Sequence, residues 1–295
     1  SIQKMAVGAV ADALGGGTTG GTSLTGDNDP ELVGDALPFA LKLYEILLEE
    51  TPEHTGLLLT TGMGYVMYAN AFVQTPADMM PEWEFKVQSE QYARSKNLYL
   101  RGRDYIFDAL EIKYPGFKQS IEDKTLAEFI QQIEAEDIDY LYWGSAGWFA
   151  AIAINVFDLE LTIEIPLAKA MMDRAYELDP DYGEGTIDDF YILYYASVTP
   201  DMGGSKEKAL YHFEQAVEKS DGMNAGPYVS LATTVYMQEQ NVEAFVKTLE
   251  QALAIDVDAK PEIRLLNVIM QDKAEWYLEH LEYFFLIDSE EDEEW

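Results

Sequence analysis

The chain has no cysteine. Disulfides, thiolate metal sites and cysteine nucleophiles are thereby excluded together, although the compartment is not fixed by this. Cations are scarce: 19 Lys and Arg stand against 54 Asp and Glu, for a net charge of −35. A charge of that sign and size keeps a protein soluble and repels phosphate backbones. It argues against nucleic acid and bare anionic membrane as partners. The three histidines, His54, His212 and His280, are far apart in sequence, and none has a second histidine at ligand spacing. Each is read as a surface or boundary residue. No apolar run in the sequence reaches the roughly 18 residues that span a bilayer.

What is present suits a packed interior. Of 295 residues, 48% are hydrophobic and 13% aromatic, enough for one large core or two smaller ones. Apolar residues recur at three- and four-residue intervals, as in Leu37, Leu41, Tyr44, Leu47 and Leu48, or Phe245, Leu249, Ala252 and Leu253. That is the period of a helix with one buried face. Proline and glycine punctuate the pattern at Pro52, Pro76, Pro81, Pro115, Pro180, Gly203, Gly222 and Pro261, leaving room for helices of ordinary length. Asp29-Pro30 has the chemistry of a helix start, with a capping carboxylate followed by a residue suited to the first turn. One exception is the alternation Leu159-Glu160-Leu161-Thr162-Ile163-Glu164-Ile165, which predicts a short extended segment.

Three regions follow from composition. Residues 1–28 hold a short segment, Ile2 to Leu14, that could form a weakly amphipathic helix, then a flexible tether, Gly15 to Ser23. Residues 29–288 form the helical domain, and 289–295 are an acidic tail. The chain starts at Ser1 without a methionine, which suggests removal of an upstream segment, by cleavage of an export signal or by trimming.

Strings that resemble catalytic or ligand motifs fail on context. Gly15-x-Gly17-x-x-Gly20 follows no convincing strand, so it is read as tether rather than a dinucleotide loop. Asp27-x-Asp29-x-Glu31 hints at a calcium loop, but Leu32 stands where glycine belongs and Pro38 where the bidentate acid belongs. Gly144-Ser145-Ala146-Gly147 lacks the first glycine of a nucleophile elbow, and its small residues are better explained by close helix contact. Catalytic residues, cofactor and metal are accordingly expected to be absent.

The remaining signal is repetition. A tetratricopeptide repeat is a helical hairpin of about 34 residues, whose second helix carries a small residue, a bulky one four later and alanine three beyond. Ala168, Met172, Ala175 and Pro180 follow that pattern; Ala209, Phe213 and Ala216 repeat it, and Phe245, Leu249 and Ala252 give a degenerate copy. Ala40, Tyr44, Leu47 and Pro52 give a fourth. Small side chains let paired helices approach, and bulky ones plug the groove of the next pair. The predicted fold is all-α, with tetratricopeptide-like hairpins stacked into a superhelix; generic amphipathic helices are the plainer alternative.

At these residues the sequence resembles TatT, the tetratricopeptide-containing T component of a subset of TRAP transporters. The resemblance runs in order from Asp29-Pro30-Glu31-Leu32-Val33 through Tyr68-Ala69-Asn70-Ala71-Phe72-Val73, Leu98-Tyr99-Leu100-Arg101-Gly102-Arg103-Asp104-Tyr105 and Leu141-Tyr142-Trp143-Gly144-Ser145-Ala146-Gly147-Trp148. It continues through Arg174-Ala175-Tyr176-Glu177-Leu178-Asp179, His212-Phe213-Glu214-Gln215-Ala216, Pro227-Tyr228-Val229-Ser230-Leu231-Ala232 and Leu253-Ala254-Ile255-Asp256. It implies a periplasmic lipoprotein, anchored through an acylated cysteine before Ser1, with the Gly-rich stretch as tether. It further implies a homotrimer that docks the substrate-binding P component of the same transporter, a helical cleft or channel for a small organic or hydrophobic ligand, and no enzymatic activity. An independent tetratricopeptide adaptor, binding peptides or proteins in its concave groove, is the alternative function.

Candidate ligand-binding residues are aromatics with polar tips and the cations among them: Tyr68, Tyr99, Arg101, Arg103, Tyr142, Trp143, Trp148, Tyr191 and Tyr195. Helical aromatics more often build core. For Arg101 and Arg103 the choice lies between an internal ion pair and a clamp for a ligand carboxylate.

Overall fold

Asp29 opens the first long helix, as its place before Pro30 predicts. In the computed structural model, which describes residues 22–155 and 158–286, its carboxylate accepts from the Leu32 amide at 3.0 Å and Pro30 takes the first turn. This helix, α1 (Pro30–Glu50), ends at Thr51, whose hydroxyl donates to the Leu47 carbonyl at 2.8 Å. His54 starts α2 (Thr55–Ala69), its Nδ1 accepting from the Leu57 amide at 3.0 Å. Both caps satisfy donors that a helix start leaves open. The segment Ile2–Leu14, most of the Gly-rich stretch and the acidic tail lie outside the described residues.

The described residues fall into two compact units, one running to Gly183 and one starting at Glu184. In the first, α2 is followed by α3 (Phe85–Lys113), α4 (Ile138–Ile154) and α5 (Ile165–Leu178). Each packs on its neighbour in sequence: α1 on α2, α2 on α3, α3 on α4 and α4 on α5. The second unit pairs α6 (Thr186–Ser197) with α7 (Lys206–Lys219), and α9 (Val242–Leu253) with α10 (Arg264–Glu279), with the short α8 (Gly226–Leu231) touching all four. The secondary structure of the described residues is helical throughout, and stacked helix pairs build each unit.

The repeat alanines sit at seams. Ala168, Ala175 and Ala209 are fully buried, as are Phe245, Leu249 and Ala252, and Ala216 is 1% exposed. At the α4–α5 seam the buried Ser145 hydroxyl donates to the Ala168 carbonyl at 2.7 Å. A β-carbon on Gly147 would stand 2.8 Å from Val66 of α2, so the small residues of Gly144–Gly147 do serve close helix contact. In the second unit, a β-carbon on Gly185 would come within 2.9 Å of the Ala216 backbone, at a φ of +95°.

Four expectations need correction. Leu159–Thr162 is a helical turn and α5 begins at Ile165, so the alternating segment is not extended. Seven residues with no partner strand satisfy their amides locally instead: Thr162 N–H reaches the Asp158 carbonyl at 2.9 Å. Pro76 does not break its helix. A π-helical turn, Asn70–Gln74, carries α2 onward into Thr75–Asp78, and the Thr75 amide reaches back to the Asn70 carbonyl. Of the proposed repeats, the fourth is not a buried seam: α1 buries Val33, Leu37, Leu41 and Leu48, leaving Ala40, Tyr44 and Leu47 half-buried. His212 is no surface residue; it is 9% exposed, inside the second unit.

Candidate functional site

The α3 helix displays three arginines, and each lies on an aromatic ring. Arg101 stands 5.3 Å above the Tyr65 ring, Arg94 5.6 Å above Tyr68, and Arg103 5.4 and 5.5 Å from Phe107 and Trp148. A guanidinium over a ring is attracted by the negative face of the π system, which fixes it without removing it from water. Arg94 and Arg101 are seven residues apart and share one face of the helix. Arg101 and Arg103, two apart, project to nearly opposite sides.

On the Arg101 side, the Glu45 carboxylate of α1 gathers the polar groups. It accepts from Tyr65 Oη at 2.7 Å and Tyr105 Oη at 3.0 Å, pairs with Lys42, and lies 3.7 Å from Arg101. Partial burial pushes Glu45 up, but hydrogen bonds from Lys42, Tyr65 and Tyr105 outweigh it and hold its carboxyl below the usual range. The same burial and the bonds to Glu45 push Tyr105 up to about 12 and raise Tyr65 as well. Arg101 is thus half satisfied by an acid. Arg94 differs: it donates to Tyr68 Oη at 3.3 Å and has no carboxylate partner among the described residues. These two arginines, with Glu90, Ala93, Asn97 and Leu98, line an open concavity of about 600 Å³ along α3.

On the other side, Arg103 pairs with Asp104 at 2.7 Å and lies 3.9 Å from Glu164. Trp148, 1% exposed, donates Nε1 to the same Glu164 at 2.8 Å and meets Phe107 edge-on at 5.2 Å. The two predicted residues are therefore in one cluster, with Trp148 in the core and Arg103 half-buried at its edge. Tyr99 is also core. At 1% exposure its hydroxyl donates to Gln74 Oε1 at 2.6 Å and accepts from Asn70 at 3.1 Å, bridging the π-helical turn. Tyr142 and Trp143 form a half-buried pair at 5.2 Å, with Tyr142 also 5.1 Å from Tyr182.

Tyr191 and Tyr195 belong to the second unit and flank His212, stacked at 4.7 and 5.6 Å. Tyr191 is buried; Tyr195 is half-buried beneath Lys208 at 5.0 Å. His212 Nδ1 meets the fully buried Asp188 at 2.7 Å, and Lys219 reaches the other oxygen of that carboxylate at 2.8 Å. Beside it, Asp189 Oδ1 is shielded from solvent with no hydrogen-bond partner. Burial pushes Asp189 up to about 6, a Ser230 hydrogen bond opposes this, and the charge of Asp188 adds to it.

Of the predicted site residues, Arg101 lines the α3 concavity and Tyr68 supports its Arg94 wall; the rest are distributed between core and other surfaces. Sequence reasoning missed Arg94 and Asn97. The available signal was the spacing Arg94, Asn97, Arg101 on one helical face of a chain poor in cations. No group of three His, Asp or Glu among the described residues is placed to hold a metal, and no described helix is long and apolar enough to cross a membrane.

An uncharacterized protein of Treponema pallidum (strain Nichols) is 36% identical over 265 residues, covering 89% of this chain and 82% of that protein. The model of the family described as "TRAP transporter T-component" (TAtT) matches residues 26–285. The chain belongs to the TRAP transporter T-component family, and so is a transport component.

Proposed function

We propose that the chain is a periplasmic accessory that docks the substrate-binding P component of its own TRAP transporter and passes ligand along a helical cleft. Anchoring through an acylated N-terminal cysteine and assembly as a trimer belong to the same reading. The observation that carries it is the family match, which spans residues 26–285 and thus nearly all of the helical body.

The α3 face supplies a physical reason for docking there. Arginine and tyrosine are the side chains that interfaces favour, because each offers a large rigid contact with a polar end. Arg94 and Arg101 are exposed cations in a chain of net charge −35. A partner carboxylate meeting Arg94 replaces water at a guanidinium that has no acid partner among the described residues. Among the predicted ligand residues of the first unit, Tyr68, Tyr142 and Trp143 are half-buried and are the ones to contact a small organic ligand.

Co-purification with the P component of its own transporter tests the reading. A complex at micromolar concentration is expected, and Arg94→Ala with Arg101→Ala is expected to weaken it at least tenfold. No complex between two folded proteins would end the docking proposal.

A further inference from the structure

Gln240 of the second unit holds a backbone conformation that glycine usually takes. It ends the run of helical turns that follows α8 through the π-helical turn Ala232–Tyr236, and its φ is +55°. The Asn241 amide reaches back to the Tyr236 carbonyl at 2.9 Å, closing the run. Left-handed positions of this kind favour glycine because a β-carbon costs energy there. A long side chain at such a position points to a use for that side chain.

Its use here is to clasp a backbone. Gln240 Nε2 donates to the Phe284 carbonyl at 2.8 Å, and Oε1 accepts from the Leu286 amide at 3.0 Å. A further bond from Nε2 to the Met237 carbonyl at 3.1 Å steadies the amide. The clasp brackets Phe285, which is 4% exposed and meets the fully buried Phe245 of α9 edge-on at 4.9 Å. Phe245 in turn meets Tyr277 of α10 edge-on, and Phe284 leans on Tyr277 at 5.0 Å. Leu286, the next residue, is 95% exposed. Residues 284–286 thus lie on the second unit as a bound peptide does, with one aromatic anchor in an apolar seat and two backbone bonds beside it.

Three features make this occupant exchangeable. The clasp reads backbone, so it asks for a ring at one position and little else. Its bonds to residues 284 and 286 face solvent, and water takes them over when the segment lifts. The third feature is charge. Asp288, Glu290, Glu291, Asp292, Glu293 and Glu294 follow closely in sequence, and a chain of net charge −35 repels such a run. A foreign segment without those acids binds free of that penalty.

We propose that the Phe245–Tyr277 seat and the Gln240 amide form a peptide-recognition site, covered by the chain's own C-terminal segment. Its partner is a short protein segment carrying a phenylalanine-type ring without flanking acids. All of its residues belong to the second unit.

The test adds a fluorescently labelled peptide with the sequence of residues 281–287 to the full-length chain. The parent is expected to bind it weakly, because its seat is filled. Phe285→Glu empties the seat and is expected to bind about tenfold more tightly or better while circular dichroism shows it still helical. Adding Gln240→Gly to that variant is expected to reverse the gain, as is a peptide with Phe285→Ala. Equal affinities for parent and Phe285→Glu would overturn the site. So would a Phe285→Glu variant that unfolds, since the segment would then be part of the fold and not a displaceable cover. Gln240→Gly alone gives a second readout. It relieves the backbone but removes the clasp, so chymotrypsin is expected to cut at Phe284 and Phe285 faster than in the parent, at a melting temperature no lower. Unchanged cleavage would show that the amide does not hold the segment and would end the proposal.

Discussion

Gly62 of α2 and Gly102 of α3 meet backbone to backbone. A β-carbon on Gly62 would stand 2.6 Å from the Gly102 carbonyl oxygen, and one on Gly102 would stand 2.7 Å from that of Gly62. No side-chain rotation relieves either contact, so the helices must separate to admit a methyl group. Gly62→Ala and Gly102→Ala are each expected to destabilise the first unit by about 1–3 kcal/mol, the usual cost of overpacking. The gain in helix propensity, up to about 1 kcal/mol, offsets only part of this. Thermal unfolding of the two variants checks it; unchanged melting temperatures would mean that the helices are not held this close.

How much of this was legible beforehand depends on where the information sits. The repeat alanines could be read because a small residue at fixed spacing on an amphipathic helix has one common use, and Ala168, Ala175, Ala209 and Ala216 are all buried. Gly62 and Gly102 could not, since their pairing depends on which two helices cross and at what height. Leu159–Ile165 misled because seven residues are too few to separate alternation from helical turns. The site was least legible. Arg101 and Arg103 look equivalent in sequence, yet one lies on an open face and the other over the Trp148 core. Aromatic side chains likewise show their type but not their depth until the neighbouring helix is placed.

Asp188 is the anchor of the second unit. It is fully buried, with His212 on one oxygen and Lys219 on the other, so α6 and α7 are joined by a charge network in the interior. Removing the carboxylate takes this shared partner from a lysine and a histidine in the interior. Asp188→Ala is expected to cost about 3–5 kcal/mol, the range for breaking a buried pair. Replacing His212 by Gln, which keeps a polar tip near Asp188, is expected to cost much less. Denaturant unfolding of the two variants separates them, and equal losses would show that His212 packing rather than the network dominates.

Asp189, one residue on, is expected to make the second unit less stable as pH rises. Its folded pKa is raised from 3.8 to about 6, chiefly by burial. A raised carboxyl favours the folded state fully at pH below the unfolded value and loses that contribution as pH climbs through the folded one. The window therefore runs from about 4 to about 6, and ionisation there is expected to cost about 1–3 kcal/mol. Asp189→Asn cannot ionise and is expected to flatten this part of the stability profile and to exceed the parent at pH 7. Denaturant titrations at pH 4, 5, 6 and 7 supply the comparison; parallel profiles for parent and variant would rule out Asp189 as the cause.

Trp148, Tyr142 and Trp143 lie on one helix but are expected to respond differently to truncation. Trp148 is 1% exposed, stacks edge-on against Phe107 and donates to Glu164. Trp148→Ala opens a large cavity and leaves that carboxylate without its donor, so a loss of about 3–5 kcal/mol is expected. Tyr142 and Trp143 are half-buried; they pack on each other, Tyr142 also on Tyr182, and Trp143 also against the cluster of Val66, Ala69, Tyr99 and Ala151. Their alanine variants are expected to remain folded with a loss of no more than about 2 kcal/mol. They therefore can report on ligand where Trp148 cannot. Intrinsic fluorescence of the intact chain titrated with a hydrophobic probe such as ANS, compared across the three variants, reads both effects. If Tyr142→Ala and Trp143→Ala bind the probe as the parent does while staying folded, this pair is packing alone and the ligand path runs elsewhere.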